Sequence, residues 1–142
     1  MKLKKITGRA KKCGPSALSA ITGLPTHDCA KYIRFHTGKR SVNGVHPKDM
    51  IQVLQDLNFT CIETRKYAKT LRKFADWVKW LNCEDRIFLV IASNHYVVFD
   101  HENVADSGFW FGRKPVKIEH IFNEKNHFDL MRIKQIFVIT EA

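Results

Sequence analysis

Apolar positions change their spacing about midway along the chain. In the first part they recur three and four residues apart, and later they alternate or run together. Residues 1–12 are polar and basic, and read as a strand or an extended arm. A helix is predicted from Cys13 to about Thr22, with Pro15 in its first turn and Gly23 ending it. A second helix follows, with Thr26 as N-cap, a buried stripe of Cys29, Tyr32, Ile33 and His36, and Gly38 as its stop. After a polar loop from Lys39 to Val45, Pro47 opens a third helix whose apolar face is Met50, Ile51, Val53, Leu54 and Leu57. Phe59 to Glu63 alternates as a strand. Thr70 can cap a fourth helix with Leu71, Phe74, Trp77, Val78 and Leu81 turned inward.

The last third reads as sheet. Ile87–Ala92 is continuously apolar, as a central strand is. His95–Phe99 pairs with it across Ser93-Asn94, and Val104–Asp106 returns after a polar turn. Phe109-Trp110-Phe111 is an aromatic loop, Val116 to Phe122 holds a short helical turn, and Arg132 to Thr140 closes the sheet. Helices first and an antiparallel sheet second make an α+β chain. With no repeat, low-complexity stretch or linker, residues 1–142 are expected to form a single domain.

Composition narrows the function classes. With 44% hydrophobic and 27% charged residues the chain is expected to be globular rather than disordered. No apolar run approaches the ~20 residues that span a bilayer, and residues 1–12 lack the apolar stretch of a secretory signal. Cys13, Cys29, Cys61 and Cys83 are well separated with no Cys-x-x-Cys pair, so neither a metal nor another cofactor is expected. A cytoplasmic setting fits free thiols, and the sequon at Asn58 carries little weight there. The net charge of +10 gathers in two clusters, Lys2 to Lys12 and Arg65 to Lys73. Either could draw an acidic protein partner or nucleic acid, although neither is interleaved with aromatics.

Three residues carry candidate chemistry. Cys13 stands at a helix N-terminus, where peptide dipoles and Lys11-Lys12 favour a thiolate, the form that attacks. Gly14 leaves room for close approach. His95 heads an apolar strand and shares a face with Val97 and Phe99. A turn centred between Asp100 and His101 sets Asp106 opposite His95 on the same face, where a carboxylate would fix the imidazole's orientation. Asp100 competes less well for that role because it falls on the other face. His27 and His36 share a helix without ligand spacing, and His46, His101, His120 and His127 read as solvated. Trp77, Trp80 and Trp110 read as core or rim, and Phe109-Trp110-Phe111 as either a groove lining or a core plug.

The segments Cys13-Gly14-Pro15-Ser16-Ala17-Leu18, His95-Tyr96-Val97-Val98 and Val104-Ala105-Asp106 resemble the papain-like cysteine peptidases. Their compact branch, which includes the bacteriocin-leader-processing peptidase domains, is the nearest in pattern. The resemblance implies a papain-like fold and a peptide or protein substrate. It also implies Cys13 as nucleophile, His95 as general base then acid, and Asp106 as its orienter. Stand-alone versions of this kind occur in bacteria and phages. One position departs from the pattern. The glutamine that precedes the cysteine and helps hold the oxyanion is absent, and Thr7 stands near its place. Two alternatives remain open: an acyltransferase of transglutaminase type, and a catalytically degenerate binding module.

Overall fold

The computed structural model describes residues 1–66, 68–81, 84–121 and 127–142. Its helices are α1 (Cys13–Thr22), α2 (Thr26–Thr37), α3 (Pro47–Asp56), α4 (Leu71–Val78) and the single turn α5 (Ile118–Ile121). Its strands are β1 (Phe59–Thr64), β2 (Ile87–Ala92), β3 (His95–Phe99), β4 (Asn103–Ala105), β5 (Val116–Lys117) and β6 (Ile133–Glu141). The six strands form one sheet in the order β1-β6-β2-β3-β4-β5 with antiparallel pairing throughout.

The last strand does not close an edge. β6 inserts between β1 and β2, and so becomes central. Every residue of β2 is buried, because both faces of the sheet are covered. Ile87, Leu89 and Ile91 point into a core shared with α1, α2 and α3. Phe88, Val90 and Ala92 point into a second core under α4, where Phe74 packs edge-on against Phe88 and Phe99 at ring distances of 5.5 and 5.0 Å. Alternation along β3 divides the same way, with Tyr96 and Val98 toward α1, and Val97 and Phe99 toward α4.

Several local expectations change. Residues 1–12 form an extended arm rather than a strand, tied by Lys4 N–H to Ala20 O (2.8 Å) and Ile6 N–H to Arg113 O (2.9 Å). Thr26 is the first residue of α2 and Pro25 its cap, so no side chain caps that helix. Tyr32 and His36 are exposed, and α2 buries Cys29, Ala30 and Ile33 instead. With Thr26 also buried at its start, three apolar residues against α1 and α3 suffice to hold α2. Thr70 does cap α4, its hydroxyl accepting Lys73 N–H at 3.3 Å. Trp80 is neither core nor rim, being 88% exposed. Lys117 belongs to β5, which pairs with β4, and α5 begins only at Ile118. Cys83, Phe122 and the side chain of His127 lie outside the described part of the structure.

No helix among the described residues is long and apolar enough to cross a membrane.

Candidate active site

Cys13 is the first helical residue of α1. Lys12 caps the helix in extended conformation without a side-chain hydrogen bond, and the first turn holds no acid. The leading N–H groups of α1 are therefore not neutralised by a carboxylate, and their partial positive charge is left to the sulfur. Gly14 matters for packing. A Cβ there would meet Val45 Cγ2 at 3.0 Å and Met50 Sδ at 3.6 Å, so glycine lets the α2–α3 loop and α3 close onto the start of α1.

β3 brings His95 to this helix end. Strand alternation puts His95 with Val97 and Phe99, toward α4, whereas α1 lies on the other face. The imidazole still meets Cys13, because His95 is the first residue of β3 and the meeting occurs at the sheet's rim.

Asp106 completes the line. Its Oδ2 lies 2.8 Å from His95 Nε2, which leaves Nδ1 as the ring nitrogen for the sulfur. The route to this contact differs from the expected cross-strand pair. Val98 opposes Ala105, so the ladder is displaced by two residues and its extension sets Asp106 opposite Val97. A displacement of two preserves the face, and the carboxylate, one residue past β4, reaches His95 diagonally.

A loop then wraps the carboxylate. Oδ1 accepts the N–H of Gly108 (2.9 Å), Phe111 (3.1 Å) and Gly112 (3.0 Å), while Oδ2 accepts that of Trp110 (2.8 Å). Gly108 turns the chain at φ 98°, a conformation that a side chain would strain. Trp110 also lays its ring edge-on to His95, at 4.6 Å between centroids. The His95 side chain is 12% exposed and that of Asp106 fully buried, so the pair works with little screening from water.

The electrostatics follow from these contacts. Burial alone would raise the Cys13 thiol, but His95 and the Tyr96 and Gly14 amides outweigh it and hold the thiol below its ordinary value. Burial would lower His95, but Asp106 and Cys13 raise it to about 9. Burial would raise Asp106, but His95 and three loop amides keep its carboxyl below the usual range. Each direction favours a resting thiolate–imidazolium pair beside an ionised aspartate. No imidazole offsets the burial of Cys29 and Cys61, which pushes both up to about 11.

Thr7 is placed elsewhere. Its N–H approaches Ser19 Oγ at 3.4 Å, its carbonyl accepts Thr26 N–H at 2.7 Å, and it is exposed. Ser19 lies six residues beyond Cys13, about 9 Å along the axis of α1. The expectation that Thr7 supports an oxyanion gains nothing from this position. Asp100 is buried at the β3–β4 turn, where its Oδ2 accepts Leu3 N–H at 2.9 Å, apart from His95.

A groove of about 450 Å³ opens beside Cys13, lined by Val45, Asn94, Tyr96, Lys134 and Gln135 among others. Tyr96 ties its two walls together, the hydroxyl donating to Val45 O at 2.6 Å. Sequence reading missed this groove, since its lining joins β3, β6 and the α2–α3 loop. The Phe109–Trp110–Phe111 segment, expected as groove lining or core plug, belongs instead to the loop around Asp106, where the Trp110 and Phe111 backbone rather than the rings holds the carboxylate. No group of three or more metal-ligating side chains occurs among the described residues.

No protein-family model matches the chain, and no curated protein matches it. Among solved structures it is similar to a crystal structure of a double glycine motif protease from an AMS/PCAT transporter in complex with the leader peptide. The TM-score is 0.55 at 14% identity, covering 99% of this chain and 93% of that one. At this identity the likeness speaks to the fold, which is α+β and papain-like, with N-terminal helices on an antiparallel sheet.

Proposed function

We propose that the protein is a cysteine peptidase or isopeptidase, with Cys13 as nucleophile, His95 as proton carrier and Asp106 as its orienter, and that residues 1–142 act as one catalytic domain. The observation that carries the reading is the 2.8 Å contact between His95 and a buried carboxylate, beside a Cys13 thiol that His95 holds below its ordinary value. The papain-like fold is consistent with it.

The thiolate attacks the carbonyl carbon of an amide, forming a C–S bond and a tetrahedral oxyanion. The Cys13 N–H, in the first turn of α1, is offered as a donor to that oxygen. His95 then gives its Nδ1 proton to the leaving nitrogen as the C–N bond breaks, leaving a thioester. Neutral His95 next takes a proton from water, whose oxygen attacks the thioester. The acid leaves, and the proton on His95 restores the ion pair. Asp106 holds the ring through Nε2 in both half-reactions.

Alkylation tests the premise without a known substrate. Iodoacetamide at pH 6.5 is expected to modify Cys13 well before Cys29 or Cys61, as mapped by peptide mass. Incubation with a pool of peptides should then give cleavage that disappears in Cys13→Ala. Cys13 alkylating no faster than Cys61 would end this reading. Transfer of a labelled amine onto peptides, in place of hydrolysis, would move it to acyl transfer.

A further inference from the structure

We infer that the groove beside Cys13 selects peptides carrying an acidic side chain within about three residues of the bond that is cut, with Lys134 as the residue that reads it. This deepens the peptidase reading and rests on it.

The argument begins with the sheet. Gln135 on β6, Ile91 on β2 and Tyr96 on β3 form one row across three adjacent strands. Lys134 neighbours that row, beside the irregularity where the pairing slips between Ile91 and Ala92. Two strand spacings, about 10 Å, separate the Lys134 backbone from the β3 end that holds His95, and the Lys134 side chain leans back across part of that gap to Asn94, beside His95. An extended peptide advances about 3.3 Å per residue, so a chain lying across the groove from Cys13 meets the Lys134 ammonium within about three residues.

The chemistry at that point has one sign. No carboxylate occurs among the described lining residues, and Lys134 supplies the fixed charge. His46 also lines the groove, but its Nδ1 already accepts Lys48 N–H at 3.2 Å. Glu63 belongs to the neighbouring groove, where its Oε2 accepts from Gln135 Nε2 at 3.3 Å. Lys134 is also held in place. Its Nζ donates to Asn94 Oδ1 at 2.7 Å, and Asn94 sits at φ 63° in the tight turn that delivers His95. An ammonium has three protons to donate, so one goes to Asn94 and two remain for a ligand carboxylate. Asn94 restrains the flexible lysine before the ligand arrives, which lowers the ordering cost of binding. The net charge of +10 favours the approach of an acidic peptide from a distance.

The test uses peptidyl chloromethyl ketones, in which the Cys13 thiolate displaces chloride and leaves a thioether. Three sets carry Glu, Gln or Lys, placed in turn at the first, second and third residue from the ketone. Labelling of Cys13 is followed by mass. The Glu probe is expected to label about fivefold faster than the Gln probe, with Lys slowest, in keeping with a half-exposed ion pair. Lys134→Glu should invert the order, Lys134→Met should level it, and iodoacetamide, which does not occupy the groove, should react equally with all three proteins. Equal rates for the three probes in the parent, or the same ranking in Lys134→Glu, overturns the inference. So does a failure of every peptidyl probe to outpace iodoacetamide. If the ranking holds but no peptide is hydrolysed, acid selection stands and the hydrolytic reading fails.

Discussion

Two buried aspartates stand at either end of β4 and do different work. Asp100 opens the β3–β4 turn, and Asp106 begins the loop that leaves it. Both are almost wholly inaccessible, at 0% and 1% exposure. Both collect backbone N–H groups: Leu3, Glu102 and Asn103 at Asp100, and Gly108, Trp110, Phe111 and Gly112 at Asp106. Burial and hydrogen-bond count therefore do not separate the carboxylate of the proposed site from the one outside it. What separates them is the remaining partner. Asp100 spends its other oxygen on the N-terminal arm, through Leu3 N–H, whereas Asp106 spends it on an imidazole that faces a sulfur.

The largest effect should come from deleting each carboxylate in turn. Asp106→Ala is expected to lower turnover of a cleaved peptide by about 10³–10⁴, because the imidazole loses both orientation and charge support. It also leaves four part-buried N–H groups without their acceptor, at about 1–3 kcal/mol for each that finds no water. Asp100→Ala should carry a similar stability cost, read by denaturant melting, yet keep turnover per folded molecule within a few-fold. Equal losses of turnover in the two variants would dissolve the distinction drawn here.

A milder pair, Asp106→Asn and Asp100→Asn, reads the same difference through pH. Activity in the parent should rise on the acid side as the Cys13 thiolate forms, and fall as His95 deprotonates near 9. In Asp106→Asn the alkaline limb should move down toward the ordinary histidine value, narrowing the active window. In Asp100→Asn it should stay in place. Stability carries matching signs. His95 has a raised folded pKa, so its contribution is complete below the ordinary histidine value and is lost as pH climbs through about 9. Asp106 has a depressed one, so its contribution is present above the usual carboxylate range and fades as pH falls through the folded value. Asp106→Asn should therefore melt with less dependence on acid than the parent.

Sequence made the members of this arrangement legible, but not the way they meet. Cys13 at a helix start, His95 at a strand start and Asp106 after the next strand follow from periodicity and from Pro15, Gly23 and the polar turn. The face shared by His95 and Asp106 survived an error of two residues in register, because alternation has a period of two. Three other features were hidden for physical reasons. β6 lies centrally because a strand's neighbours are chosen by long-range pairing, which local pattern does not encode. The groove with Lys134 exists only through that placement. The cradle around Asp106 is built from backbone N–H groups, so the side chains of residues 107 to 112 barely announce it. Thr7 shows the converse: distance from Cys13 in sequence gave no guide once the chain looped past Ser19 and Thr26.

The smallest expected effect probes how the two turns are made. The Asp106 cradle depends on Gly108 at φ 98°, while no residue of the Asp100 turn takes a positive φ. A Cβ on Gly108 would meet Arg113 Cγ at 3.5 Å, an ordinary contact, so Gly108→Ala adds strain in the backbone rather than a clash. That strain is worth about 1–2 kcal/mol. Part of it should be relieved by opening the loop, which lengthens the bonds from Gly108 and Trp110 N–H to the carboxylate. The carboxylate would then hold His95 less firmly, and turnover should fall by about two- to fivefold, with a slight drop of the alkaline limb. Glu102→Ala makes the matching change in the Asp100 turn. It preserves the N–H that donates to Asp100 Oδ1 at 2.8 Å, at a residue with ordinary φ. It should leave turnover and the pH profile unchanged and alter stability by no more than about 0.5 kcal/mol. A Gly108→Ala protein that loses stability but keeps the parent's pH profile would show that the cradle merely shelters the carboxylate and does not tune the histidine.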